Sequence, residues 1–157
     1  MERKSVFSVK KLFLLMCTAM LFPSACSAPE GITVREAWTR ATKAGENGAI
    51  YFVLHNDSTE QDELIGVSSD LADAVEIHES SLVAGTEVMQ MNQVFSVALD
   101  AASEVTFEPG GLHVMLVGLK KELKVGDVIE LTLHFQKHAD ILMSVSVAEF
   151  APDEHSH

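Results

Sequence analysis

The chain contains very little cysteine. Cys17 and Cys26 are the only two cysteines among 157 residues, and both lie near the N-terminus. Cys17 falls inside an export signal described below, and Cys26 lies at the end of that signal, so the remaining chain has no internal disulfide available. The same scarcity excludes a blue-copper electron-transfer centre, because such a centre needs a cysteine thiolate beside two histidines.

Positive charge is also scarce. The chain has 11 Lys and Arg against 23 Asp and Glu, which gives a formal net charge of −12. Removal of residues 1–25 takes away four basic residues and Glu2, so that 7 Lys and Arg face 22 Asp and Glu and the formal net charge becomes −15. Such a surface repels nucleic acid and anionic lipid and attracts cations and basic partner proteins. Nucleic-acid binding is therefore excluded.

The hydrophobic run near the N-terminus is too short to cross a membrane. Residues 12–22 form an apolar run of about eleven residues, whereas a spanning helix needs about 20. Four basic residues precede the run: Arg3, Lys4, Lys10 and Lys11. This pattern is typical of a secretion signal, here residues 1–25. The sequence predicts an exported protein, in the periplasm or on the outer face of the cell membrane.

Two cleavage sites fit the end of this signal. Residues 24–26, Ser-Ala-Cys, resemble the end of a bacterial lipoprotein signal, in which the cysteine becomes the lipidated N-terminus. Pro23 departs from that pattern, since a branched aliphatic residue is usual there. A cut after Ala28 is the alternative, but it puts Pro29 directly after the cleaved bond. We favour lipidation at Cys26, which makes a lipid anchor the domain's contact with the membrane.

Short alternating segments dominate the rest of the chain, and no stretch shows a sustained helical period. Alternation predicts strands at residues 32–37, 49–54, 64–67, 74–78, 88–94, 103–107, 113–117, 128–135 and 141–148. One short helical turn is expected at residues 70–74. The pattern predicts an all-β fold, a Greek-key sandwich or small barrel, as one domain over residues 26–150 with a polar tail at residues 151–157.

The chain carries a sparse set of soft metal-binding side chains. His113 and Met115 are two apart on a predicted strand, so both point to one face about 7 Å apart along the backbone. His78, Met89 and Met91 precede them. Imidazole and thioether ligands suit Cu(I) and suit magnesium or calcium poorly, since those ions prefer oxygen donors. The residues therefore indicate copper handling.

The sequence offers no convincing catalytic site. Ser80 and Ser81 lie near His78, but no nucleophile elbow or oxyanion turn surrounds them. The chain also has no glycine-rich loop that could cradle a phosphate. We predict that the protein is not an enzyme.

Several segments resemble one family. They are Asn47-Gly-Ala-Ile-Tyr-Phe, the Val-Glu-Ile-His-Glu-Ser sequence within residues 71–80, the Met-x-Met at 89 and 91, and Pro109-Gly-Gly-Leu-His-Val-Met-Leu. Together they closely resemble the PCuAC family of periplasmic copper chaperones, over about residues 31–148. The resemblance implies a cupredoxin-like fold and a metal pattern of His, ten residues, Met, twenty-one residues, His-x-Met.

One spacing departs from this pattern. Met91 precedes His113 by the family's twenty-one residues, but twelve residues separate it from His78, and Met89 is the methionine ten residues after His78. A two-residue lengthening of the turn around residues 83–86 explains the difference. Because strand register tolerates change less than a hairpin loop does, the predicted ligands are His78, Met91, His113 and Met115, with Met89 as the alternative to Met91.

The resemblance also implies a role. Members of the family pass Cu(I) to the CuA centre of cytochrome c oxidase, on subunit II, with thioredoxin-like Sco proteins as co-workers. A copper-scavenging or buffering lipoprotein without a dedicated acceptor would use the same residues and remains the alternative. His155 and His157 in the tail are candidate ligands for Cu(II), because some family members carry longer tails rich in His and Met.

Overall fold

The computed structural model describes residues 31–151, and all regular secondary structure in that range is β. It contains ten strands: β1 (Ile32–Arg40), β2 (Gly48–Asn56), β3 (Asp62–Ser68), β4 (Ala72–Leu82), β5 (Met89–Val94), β6 (Val97–Leu99), β7 (Ser103–Phe107), β8 (Leu112–Leu119), β9 (Val128–Phe135) and β10 (Ile141–Ala148). Every strand that alternation predicts is present, and β6 is additional. The predicted signal at residues 1–25, the anchor at Cys26 and the tail histidines His155 and His157 lie outside the described residues.

The strands pair in the order β5-β4-β8-β7-β2-β1-β10-β9-β3-β6, with a further pairing between β8 and β2. Most neighbours are antiparallel, but β1 runs parallel to β10, and β7 parallel to β8. β8 lies beside β4, far back in the sequence, and not beside β9, which follows it. These long connections bring separate parts of the chain together in a sandwich, as the sequence predicted.

The core fills the space between the two halves of the sheet. The half around β2 and β8 supplies Ile50, Phe52, Phe107, Val114 and Leu116, and the half around β9 and β10 supplies Leu64, Leu131, Leu133 and Val145. The rings of Phe52 and Phe107 are stacked with centres 4.2 Å apart. Because alternate residues of each strand enter this core, the intervening residues form the outer face of the sheet.

The predicted helical turn at residues 70–74 is wrong. Asp70 and Leu71 form a turn, and Ala72 already begins β4 opposite Leu119 of β8. Pairing with β8 satisfies the backbone groups that a helical turn would have used internally. Within residues 31–151, no helix is long and apolar enough to cross a membrane.

The end of the sheet at β5 is a projecting hairpin. We call residues 79–94, which comprise the second part of β4, its loop and β5, the hairpin arm. The Val83 N–H donates to the Val88 carbonyl at 2.9 Å and closes the loop at residues 83–88. Residues 89–93 of β5 are all exposed, and in the described part of the chain β5 pairs with β4 alone. The loop that the sequence predicted to be lengthened is thus the tip of the arm.

Candidate metal centre

The predicted ligands share the outer face of three adjacent strands, β5, β4 and β8. His78 on β4 lies directly opposite His113 on β8, and Met115 lies opposite Glu76, two residues before His78. On the other side of β4, Met91 lies opposite Ser80, two residues after His78. Met91 and Met115 are therefore both diagonal neighbours of His78, with Cα atoms about 7–8 Å away, within reach of long side chains.

Met89 is one step farther out. It pairs with Leu82 at the end of β4, four residues beyond His78 along the hairpin arm. Four residues correspond to roughly 13 Å along a strand. Met89 and Met91 are almost equally exposed, at 52% and 50%. Their register, and not their exposure, distinguishes the two methionines.

His113 is the most enclosed of these residues. It retains 4% of its exposure, and its ring centre lies 5.8 Å from that of His78 and 6.4 Å from that of Tyr51. Its Nδ1 lies 3.1 Å from the carbonyl oxygen of Gly111. Because a carbonyl can only accept, Nδ1 carries the hydrogen, and the lone pair of the neutral ring is on Nε2.

His78 is held by a carboxylate. Its Nε2 lies 2.7 Å from Oε2 of Glu76 on the same strand face, and its Nδ1 is buried without a hydrogen-bond partner. Sequence reasoning missed this role of Glu76. The spacing of two residues along a strand was the available signal, since it puts both side chains on one face.

Two aromatic residues extend the row of rings beside His113. Tyr51 on β2 lies between His113 and Trp38 of β1, and the Trp38 and Tyr51 ring centres are 5.0 Å apart. Partial burial raises the pKa of Tyr51 above its usual 10.0, against an opposing effect of the Arg40 charge. The two aromatic rings pack against each other. Tyr51 also lies against one side of the His113 ring.

This face offers a soft and uncharged donor set. Among residues 31–151, no three His, Cys, Asp or Glu side chains come together as a metal site, and the further side-chain donors that share this face are the thioethers of Met91 and Met115. Two rings that each bind one ion at about 2 Å have centres roughly 6 Å apart, and the observed separation is 5.8 Å. Each ring also has one nitrogen free of a hydrogen bond. The residues therefore fit a Cu(I) ion.

A hydrogen-bonded Ser-His-Asp group lies around β3 and β9. His134 places Nε2 2.8 Å from the Ser68 hydroxyl and Nδ1 2.8 Å from Asp140, the order of a hydrolytic triad. Sequence reasoning did not identify this group. Ser68 is exposed, and the Asp140 side chain is 57% exposed. Water thus reaches all of this chain of hydrogen bonds, which links β3 to the turn between β9 and β10.

Comparisons with known proteins agree on the family. The model of a family described as putative lipoprotein LpqE-like matches residues 32–147. The putative lipoprotein Lxx21020 of Leifsonia xyli subsp. xyli is 30% identical over 137 residues, which cover 85% of this chain and 81% of that protein. Both matches extend over most of the described β domain.

Solved structures agree on the fold. The copper-bound PCuAC domain from PmoF2 is 31% identical, with a TM-score of 0.61, over 74% of this chain and 92% of that domain. The solution structure of CuI-DR1885 from Deinococcus radiodurans is 26% identical, with a TM-score of 0.57, over 80% of this chain and 83% of that protein. The cupredoxin-like fold implied by the resemblance is confirmed. The chain belongs to the LpqE-like family of putative lipoproteins, and its β domain is a PCuAC domain.

Proposed function

We propose that this protein is a copper chaperone that works outside the cytoplasm and carries Cu(I) on the outer face of β5, β4 and β8. The observation that carries the proposal is the facing pair His78 and His113, each with one ring nitrogen hydrogen-bonded to an oxygen and the other free. Two thioethers share their strand face. The similarity to copper-bound PCuAC structures supports the same ion.

The proposed ligands are His78, Met91, His113 and Met115. Neutral imidazoles and thioethers together carry no charge, which suits a soft monovalent ion better than Zn²⁺ or Ca²⁺. His78 is central because the other three residues are its opposite or diagonal neighbours. The register favours Met91 over Met89, since Met89 lies a further step along the hairpin arm.

The exposure of the ligands supports a carrier. His113 is enclosed, whereas Met91 is half exposed on an edge strand. Ligands of an acceptor protein can approach from the Met91 side and replace the protein's donors one at a time. A site without thiolate also holds Cu(I) less tightly than a cysteine pair does, which favours transfer.

The acceptor that the family resemblance implies is the CuA centre on cytochrome c oxidase subunit II, with Sco-type proteins as co-workers. The formal net charge of −15 left after residue 25 favours basic docking surfaces on such partners. The name of the Leifsonia relative supports a lipid anchor, here at Cys26 after removal of residues 1–25. His155 and His157 are proposed to add a weak Cu(II) site.

A competition titration with a chromophoric Cu(I) chelator tests the site. Wild type is expected to bind one Cu(I). Because loss of an outer partner of a ligand alone costs about 10–100-fold in metal affinity, His113→Ala and Met115→Ala are each expected to cost at least about 100-fold. His55→Ala is the matched control, since His55 is paired with Asp57 at the far end of β2. Equal affinity in all four proteins would refute the site.

A transfer assay separates a chaperone from a copper buffer. The Cu(I)-loaded protein is mixed with the purified CuA domain of subunit II, and formation of the centre is followed by its absorbance. A chaperone is expected to load the domain faster than a small-molecule Cu(I) complex of equal affinity does. An equal rate would contradict a dedicated acceptor and favour the buffering role.

A further inference from the structure

The two ring nitrogens of His78 differ in their hydrogen bonding. Nε2 lies 2.7 Å from a Glu76 oxygen, and the Glu76 and His78 side chains are 32% and 16% exposed. A carboxylate can only accept, so Nε2 carries the hydrogen of the neutral ring and the lone pair is on Nδ1. Nδ1 is buried and has no hydrogen-bond partner. Buried polar atoms without partners are rare and need an explanation.

In His113 the two ring nitrogens have the opposite roles to those in His78. Its Nδ1 donates to the Gly111 carbonyl at 3.1 Å, so its lone pair is on Nε2. The two rings face each other across β4 and β8 at 64° between their planes. A metal ion between them therefore meets Nδ1 from one ring and Nε2 from the other.

We propose that Glu76 is a positioning residue that commits His78 to bind Cu(I) through Nδ1, while His113 binds through Nε2. This inference rests on the proposed function. Carboxylates that accept the second N–H of a metal-bound histidine fix its tautomer and orientation and raise its basicity as a ligand. Glu76 also supplies one negative charge beside an otherwise neutral donor set, which balances the charge of Cu(I). The burial of an unpartnered Nδ1 is then explained, because the ion is its partner.

Glu76 has a matched control on the same strand. Glu79 is next to His78 on its other side but alternates to the opposite face of β4, where it is exposed. Glu79→Ala removes the same charge from the protein and leaves the His78 contact intact. Glu76→Gln removes the charge but keeps an amide oxygen that can accept from Nε2–H. Glu76→Ala removes both.

Nitrogen NMR of the histidine rings tests the proposal directly. Long-range ¹H–¹⁵N spectra of the ¹⁵N-labelled full chain report which ring nitrogen carries hydrogen, with and without Cu(I). In wild type, His78 is expected to keep its hydrogen on Nε2 while its Nδ1 resonance moves on loading. For His113, the Nε2 resonance is expected to move. In Glu76→Ala the apo His78 ring is expected to become a mixture of tautomers.

Affinity gives the second readout. Glu76→Ala is expected to weaken Cu(I) binding about tenfold, Glu76→Gln less, and Glu79→Ala not at all. Thermal unfolding of each apo variant identifies any loss that comes from misfolding. Coordination of His78 through Nε2, or equal affinity in Glu76→Ala and Glu79→Ala, would overturn the role of Glu76 and leave the copper site standing. If neither histidine responds to Cu(I), the proposed function itself fails.

Discussion

His78 and His113 are direct partners across β4 and β8, with ring centres 5.8 Å apart. About 35 residues of sequence separate them, and the antiparallel pairing of β4 with β8 brings them together in space. Each ring is oriented by a bond to an oxygen, from Glu76 for His78 and from Gly111 for His113. In the proposed site, both imidazoles are thus oriented before the metal ion binds, which lowers the cost of ordering them on binding.

The two arm methionines are expected to differ in their effect on Cu(I) affinity. Met91→Ala should weaken binding at least about 100-fold, as for the other direct ligands, an effect of roughly 2.8 kcal/mol. Met89→Ala should leave binding unchanged because Met89 lies opposite Leu82, a step beyond the site. Competition titration of both variants decides between them. A loss in Met89→Ala with none in Met91→Ala would reverse the assignment.

Asn56 is expected to be the most sensitive buried polar residue. It is fully buried, and its Nδ2 donates to the carbonyls of Glu60, Leu99 and Asp100 at 2.9, 3.3 and 3.0 Å. Asn56→Asp keeps the shape but sets a carboxylate against three carbonyl oxygens, so it should cost about 3 kcal/mol or more in the free energy of unfolding at pH 7.

Urea denaturation checks this cost. Ser58→Ala is the control, because it removes the hydroxyl that donates to Asn56 Oδ1 but leaves the three carbonyls paired. It should cost no more than about 1 kcal/mol. The Asn56→Asp defect should shrink at acidic pH, where a protonated carboxyl can donate again. A defect equal to that of the control would mean that the three bonds contribute little.

Asp62 is expected to make stability depend on pH. Partial burial raises the pKa of its carboxyl, but the backbone N–H groups of Glu63, His138 and Lys137 and the Lys137 charge outweigh burial and hold the pKa below its usual 3.8. The stability from a lowered pKa is present above the unfolded value and is lost as the pH falls through the folded value.

Asp62→Asn should therefore cost about 1 kcal/mol near neutral pH, a small effect because solvent screens this site. The difference from wild type should narrow as the pH falls below about 4. Glu104→Gln, which removes a charge from an exposed position on β7, is the control. Unfolding curves between neutral pH and pH 3 measure this gap, the difference in the free energy of unfolding between wild type and Asp62→Asn. A gap that stays constant with pH would contradict the role of the carboxylate.

Tyr51 is expected to ionise at a higher pH than an ordinary tyrosine does. It is the only tyrosine in the chain, so its phenolate absorbance can be followed without assignment. The midpoint should lie above the usual 10.0, because burial opposes the charged form. Arg40→Ala should raise it further, since the Arg40 charge lowers this pKa. A midpoint at or below 10.0 would show that the ring beside His113 is well solvated.

Much of the fold could be predicted from local pattern, because exposed and buried residues alternate in most strands. β6 was missed because its three residues are too few to show alternation. The helical turn at residues 70–74 was wrong because pairing of Ala72 with Leu119, distant in sequence, decided the conformation. Local propensity yields to such tertiary pairing.

The site could be predicted only in part. The spacing of His113 and Met115 was enough to place both on one strand face. The opposition of His78 and His113 depends on the register between β4 and β8, which alternation alone does not determine. The contact between Glu76 and His78 depends further on side-chain rotamers, and these are selected by packing after the strands have paired.

The hairpin arm also affects the kinetics of the proposed copper site. β5 is held by a single ladder to β4, and residues 89–93 contribute no buried side chain. Such an edge opens at a free energy well below that of global unfolding, while β8 stays closed between its neighbours. We expect Met91 to move away from the other proposed ligands and return many times before the domain unfolds once. The lifetime of bound copper would then follow the opening frequency of the arm.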